Sequence, residues 1–201
     1  MDWLITGTGR CGTGYVAMVL QSAGVNCGHE AVFNHAGLEH AKSHIDQFEA
    51  DASWLAAPYL EEPIFKHVKI VHLIRHPKRV IDSLVRMAFW THDNYAGYRL
   101  FARNHCPEVD EWERPEDKAA AFYFAWRFKI TSHADITHHI EDDVRGLLDK
   151  MGVDYAGKPL FSDKKYNTRG ISPTDVHTSD LAPELADKMR AITEQYHYAA
   201  W

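Results

Sequence analysis

The chain has 201 residues, 45 % hydrophobic and 25 % charged, ordinary globular values that exclude collagen, coiled coil and intrinsic disorder. Its 22 basic and 28 acidic residues give a net charge of −6, which excludes a broad basic nucleic-acid face yet permits a small anion in a local basic pocket. No apolar run approaches the ~20 residues of a membrane span, and the length predicts a single domain over residues 1–201.

Strand-like residues begin at once, over about 2–6, and leave no room for a signal peptide. A Gly-rich turn at 7–14 follows, then a helix over about 14–23 with Val16, Val19 and Leu20 on one face. Val25, Asn26 and Cys27 read as a second strand, ending at Gly28-His29-Glu30. A helix over about 38–49 precedes the apolar Ser53-Trp54-Leu55-Ala56-Ala57, a candidate third strand. Residues 68–74 are the clearest central strand, and Arg75-His76-Pro77 opens a helix over about 78–89. Segment 91–113 reads as an irregular surface excursion. Pro115 with Glu116 and Asp117 starts a helix to about 133, with Ala121, Phe124 and Phe128 on one face. His138-His139 reads as a solvated turn. Val144, Leu147, Leu148 and Met151 keep helical spacing with Gly152 as C-cap, 155–180 is polar and turn-rich, and Pro183 begins a last helix. Strands alternating with helices predict an α/β domain with a mostly parallel sheet and a mainly helical second half.

The segment Leu4-Ile5-Thr6-Gly7-Thr8-Gly9-Arg10-Cys11-Gly12-Thr13-Gly14-Tyr15 carries the most chemistry. A Gly-rich turn from a strand into a helix N-terminus gathers backbone N–H groups at the positive end of the dipole, which suits a phosphate. Several readings compete. It could be a plain turn without a ligand. Gly7 to Gly12 has the spacing of a nucleoside triphosphate loop, but Thr13 and Gly14 stand where that loop needs a lysine. Gly7-x-Gly9-x-x-Gly12 also matches a dinucleotide fingerprint, with Glu30 18 residues beyond Gly12 as the ribose-binding acid. That makes an NAD(P)-binding oxidoreductase the alternative enzyme, and a non-catalytic nucleotide-binding module the alternative without chemistry. The third reading starts from Arg10, a cation inside a loop of small residues that would wrap a single 5′-phosphate.

A second anion signal lies in Ile74-Arg75-His76-Pro77-Lys78-Arg79-Val80-Ile81-Asp82-Ser83. Arg75 closes a strand, where α/β sheets place ligand contacts, and its guanidinium fork suits phosphate oxygens. Residues 10–14 resemble the 5′-phosphosulfate loop of sulfotransferases, with Cys11 where a serine is usual. Arg75, Pro77, Val80 and Ser83 resemble the family's 3′-phosphate motif, Arg-x-Pro-x-x-Val-x-x-Ser. Tyr166-Asn167-Thr168-Arg169-Gly170 partially resembles its late loop. The resemblance implies a three-layer α/β/α sheet of P-loop-like architecture and the donor 3′-phosphoadenosine 5′-phosphosulfate (PAPS). Arg10, Cys11, Gly12, Thr13, Gly14 and Tyr15 would then hold the 5′-phosphosulfate, and Arg75, Ser83 and Arg169 the 3′-phosphate. Arg10 would also assist departure of the phosphate oxygen.

Sulfuryl transfer needs alignment, stabilised charge and a base near the acceptor. Glu30 is the first candidate base and His29 the second, on the premise that the second strand lies beside the first. Asp51 and Ser53 are candidate substrate contacts. His40 and His44, one helical turn apart, could bind zinc, but His29-Glu30 does not continue as H-E-x-x-H, and no metal is expected. The expected partner is a small-molecule or glycan acceptor, with no nucleic acid. Three scattered cysteines, Cys11, Cys27 and Cys106, without a CxxC pair fit a reducing, cytoplasmic setting.

Overall fold

The computed structural model describes residues 1–162 and 175–198. They fall into two compact units, one built from Met1–Ile74 with Phe128–Arg169 and the other from Arg75–Arg127 with Gly170–Trp201. Arg169 and the rest of Tyr166–Gly170, singled out above, lie outside the described residues.

The five strands among the described residues belong to the first unit: β1 (Trp3–Thr6), β2 (Cys27–His29), β3 (Ala50–Ala52), β4 (Lys69–Ile74) and β5 (Ile136–His139). They form one sheet of order β2-β3-β1-β4-β5 in which every pair is parallel. The parallel α/β expectation therefore holds. Leu4, Ile5, Val71 and Leu73 are fully buried in the centre, each burial worth about 1.5–3 kcal/mol. Helix α1 (Thr13–Ser22) places Val16, Ala17, Val19 and Leu20 in the core as its spacing predicted. Its last turn is closed by the Lys158 ammonium, which donates to the Ala23 carbonyl at 2.6 Å.

Four expectations are corrected. The third strand is Ala50–Ala52, and Trp54–Tyr59 winds instead as a 3-10 helix, because the Ser53 hydroxyl accepts from the Leu55 N–H at 3.1 Å and starts the turn. The second strand does not lie beside β1, since β3 stands between them. His138-His139 is no solvated turn. It belongs to β5, where His138 pairs with Leu73 and is buried. Helix α2 (Leu38–His44) is also shorter than predicted and ends in a 3-10 turn, Ile45–Gln47. Helix α6 (Val144–Met151) closes on Gly152 in the left-handed conformation, φ 71°, as predicted.

The second unit is helical: α3 (Pro77–Arg86), α4 (Ala96–His105), the first 13 residues of α5 (Pro115–Thr131) and α7 (Pro183–Gln195). Segment 91–113 is not irregular, because Phe101 and Ala102 are buried and the Arg99 guanidinium donates to the Phe89 carbonyl at 3.1 Å. Packing supplies helical stability that local propensity lacks. On α5 the inward stripe is Ala119, Phe122, Tyr123 and Trp126, and Phe128, placed on one face with Ala121 and Phe124 by its spacing, is 82 % exposed. Phe122 stacks among Phe89, Trp90 and Trp126, which fixes the helix rotation.

Candidate active site

The Gly-rich loop leaves β1 at Thr6 and enters α1 at Thr13. Two of its glycines are dictated by space. A Cβ on Gly7 would lie 2.3 Å from the Leu73 carbonyl oxygen of β4, so the loop can cross the end of that strand only as bare backbone. Gly12, at φ 105°, would drive a Cβ to 2.8 Å from the Ile140 side chain, just beyond β5. Arg10 is held at φ 76°, a conformation that costs a non-glycine residue about 1–3 kcal/mol and clusters at ligand sites.

The loop ends at the N-terminus of α1. Gly12 caps α1 without a side-chain hydrogen bond, and the first turn contains no acidic residue. The amides opening this 10-residue helix have no acceptor within it, and the dipole adds positive character. Thr13 and Gly14 are buried in that turn. Cys11 is also buried, its Sγ 2.7 Å from the Thr8 hydroxyl, which ties the loop to itself. Tyr15 is half-buried with its ring 6.1 Å from that of Phe161. Burial first, and the Asp143 carboxylate second, raise its phenol above the ordinary value, against the pull of Arg145. The connection leaving β1 runs to β2 at one edge, and that leaving β4 runs to β5 at the other. The carboxyl ends of β1 and β4 therefore form a topological switch point, where open α/β sheets bind ligands.

His29 and Glu30 follow β2 at the same, carboxyl end of the sheet. With neighbouring strands ~4.8 Å apart, the ends of β2 and β1 are separated by roughly 10 Å. Glu30 is also left-handed, φ 54°, and its amide donates to the Ala52 carbonyl at 3.3 Å. Its carboxylate is mostly covered and lies 3.9 Å from His29 Nε2. Arg10 and Glu30 are the only non-glycine residues of the first unit with positive φ among those described.

Asp51 and Ser53 do not face a substrate, because both are fully buried. The Asp51 carboxylate accepts from the Ala31 amide at 3.2 Å and the Phe33 amide at 3.1 Å, and the Ser53 hydroxyl donates to the Phe33 carbonyl at 2.6 Å. Burial pushes the Asp51 carboxyl up, while hydrogen bonds from the Phe33, Ala31 and Val32 amides and the charge of His29 pull it down. Nearby, burial and then the Asp51 charge push the Cys27 thiol up to about 12, so it is inert. His40 and His44 stack at 3.9 Å, and each bonds a backbone carbonyl. No metal-ligand cluster occurs among the described residues.

Arg75 and Ser83 belong to the second unit. Arg75 is the residue after Ile74, the last of β4, and is half-buried. Pro77 opens α3, and Pro77 and Val80 are buried, so these two motif positions serve packing. Ser83 is half-buried, seven residues into α3 counted from Pro77. Between them, the Lys78 ammonium donates to the Asp175 carboxylate at 2.6 Å and to the Val176 carbonyl, and Asp82 accepts from the Val176 amide at 2.9 Å. The motif helix thus anchors the backbone at 175–176. Sequence reasoning missed this clip. Its only signal was a lysine and an aspartate four residues apart on one helix.

No protein-family profile and no curated protein matches the chain. Two solved structures align along its whole length. Both are sulfotransferases. The sulfotransferase domain of the Synechococcus PCC 7002 olefin synthase aligns over 100 % of this chain and 95 % of its own, at 16 % identity and a TM-score of 0.48. The sulfotransferase from Alicyclobacillus acidocaldarius aligns over 99 % and 96 %, at 14 % identity and the same TM-score of 0.48. No helix among the described residues is long and apolar enough to cross a membrane.

Proposed function

We propose that this protein is a PAPS-dependent sulfotransferase acting on a hydroxyl or amine of a small-molecule or glycan acceptor. The observation that carries the reading is the Gly-rich loop. It ends in a helix N-terminus without side-chain cap or acid and sits at the β1/β4 switch point, and the chain carries an Arg-x-Pro-x-x-Val-x-x-Ser segment starting directly after β4 in sequence. When bound, the donor supplies a sulfuryl group that the acceptor atom takes as the bond from sulfur to the 5′-phosphate oxygen breaks. The amides opening α1 and the Arg10 guanidinium hold the charge left on that oxygen. Arg75 and Ser83 bind the 3′-phosphate, together with Arg169. Glu30 takes the proton from the acceptor, with His29 in support. The chemistry asks for no metal.

Strand order favours this reading over a dinucleotide oxidoreductase. In the dinucleotide fold the acid that binds ribose ends the strand beside the Gly-rich one. Here that neighbour is β3, and Glu30 is one strand further out. Thermal shift with adenosine 3′,5′-bisphosphate, ATP and NADH tests the site: the bisphosphate stabilises most, and stabilisation by NADH alone overturns the proposal. Transfer of labelled sulfate to an acceptor library separates an enzyme from a binding module, and full transfer by Glu30→Gln removes Glu30 as the base.

A further inference from the structure

The loop after β2 wraps a buried carboxyl group of β3 that neither the sheet nor the proposed chemistry uses directly. Asp51 is the middle residue of β3, fully buried between Ala50 and Ala52. A three-residue strand of small side chains gains nothing from a carboxylate there, and burying one is costly unless it is well bonded. Its oxygens point into the loop 30–33, where they accept from the Ala31 and Phe33 amides. Space has been cleared for it: a Cβ on Gly28 would lie 2.5 Å from Asp51 Oδ1 and 2.7 Å from the Ala31 Cβ. The Ser53 hydroxyl grips the same loop from its carbonyl side, at Phe33. The residue immediately before these anchored amides is Glu30, in a left-handed conformation that glutamate does not choose unaided.

We propose that Asp51 is a positioning residue: its buried carboxylate gathers the amides after Glu30, and so fixes where the Glu30 carboxylate stands. The inference rests on the proposed role of Glu30. The loop geometry is over-determined, because the Glu30 amide bonds Ala52 and the Ala31 and Phe33 amides bond Asp51, so the short stretch 30–33 is tied repeatedly to β3. Such redundancy is what keeps a strained backbone in place. Asp51 touches no acceptor, since it is fully buried.

The test uses Asp51→Asn, nearly isosteric but unable to accept from both amides. Amide hydrogen exchange comes first, because it needs no activity. Ala31 and Phe33 exchange at least about tenfold faster in the variant, the factor that corresponds to about 1.4 kcal/mol of lost protection, while β1 and β4 amides are unchanged. In transfer assays, kcat falls on the order of 100-fold, the scale of an ångström misplacement, with affinity for adenosine 3′,5′-bisphosphate retained. In a Glu30→Gln background the same change costs little further, because the group being positioned is already gone. Unaltered exchange at Ala31 and Phe33 overturns the proposal, as does an equal loss of kcat in both backgrounds. Wild-type protein that transfers no sulfate condemns the functional reading instead, and leaves the exchange result to judge Asp51. If Asp51→Asn fails to fold, Ser53→Ala loosens the same loop through Phe33 and is read by the same two assays.

Discussion

Two loops at the carboxyl end of one sheet solve the same problem in opposite ways. The loop after β1 and the loop after β2 each contain one left-handed non-glycine residue, Arg10 and Glu30. After β2 the amides close on an aspartate that the protein itself supplies from β3. After β1 they open a helix with no acid in its first turn and no side-chain cap. The first arrangement is scaffold, and the second is the one proposed here to bind a ligand. The difference shows that a bent, amide-lined loop is not in itself a ligand site. What decides is whether the fold brings its own anion to it.

The largest effect should come from the floor of the β1 loop. Gly7→Ala forces a Cβ against the Leu73 carbonyl and should destabilise the protein by about 3 kcal/mol, read by denaturant titration. A change below about 0.5 kcal/mol would mean that the loop does not lie on β4. Arg75→Ala should weaken adenosine 3′,5′-bisphosphate binding by roughly 1.5–3 kcal/mol without lowering Tm, and an unchanged calorimetric titration would remove Arg75 from the site. Arg10→Gly separates strain from function. It should stabilise the fold by about 1 kcal/mol, because glycine accepts φ 76° freely, and at the same time weaken bisphosphate binding. Loss of both stability and binding would make Arg10 structural, like the residues of the other loop.

Ligand response sharpens the contrast further. Adenosine bisphosphate at about 100 times its Kd should add about 2.7 kcal/mol to wild type and to Asp51→Asn alike, since the proposed ligand site is the β1 loop and Asp51 bonds only the β2 loop. The smallest effect concerns the strand that leads to the wall of the β1 loop. Burial lowers the His138 pKa below 6.5, with smaller opposing and supporting charges from Asp142, Lys150, His139 and Asp143. Its Nε2 is buried without a hydrogen-bond partner among the described residues. The unfolded chain therefore takes up this proton first, so stability is full above pH 6.5 and falls as the pH drops toward the lowered folded value. His138→Gln should flatten that part of the Tm–pH curve, and an identical slope would exclude His138 as its source.

Much of this was legible beforehand. The Gly-rich loop, the central strand β4, the Pro starts of α3, α5 and α7 and the Gly152 cap all carry strong local signals, because each depends on one residue's backbone preference or on simple periodicity. The faint elements were those made by partners distant in sequence. β5 hides two histidines in a strand that exists because Val71–Ile74 pairs with it, although Ile136, Thr137 and Ile140 gave a β-branched hint. The role of Asp51 was also missed. A lone acid among Ala50, Ala52, Trp54 and Leu55 could have been read as a buried carboxylate with a task, but not which amides it serves.

From sequence alone came the α/β class, the position of the Gly-rich turn and the resemblance of two motifs to phosphate-binding ones, because short stretches of backbone chemistry specify them. Only the tertiary structure decided that β3 separates β2 from β1, that Asp51 fills one loop, and that Gly7 and Gly12 answer to Leu73 and Ile140. Those are contacts between residues far apart along the chain. No local preference records them, and they are settled only when the strands choose their neighbours.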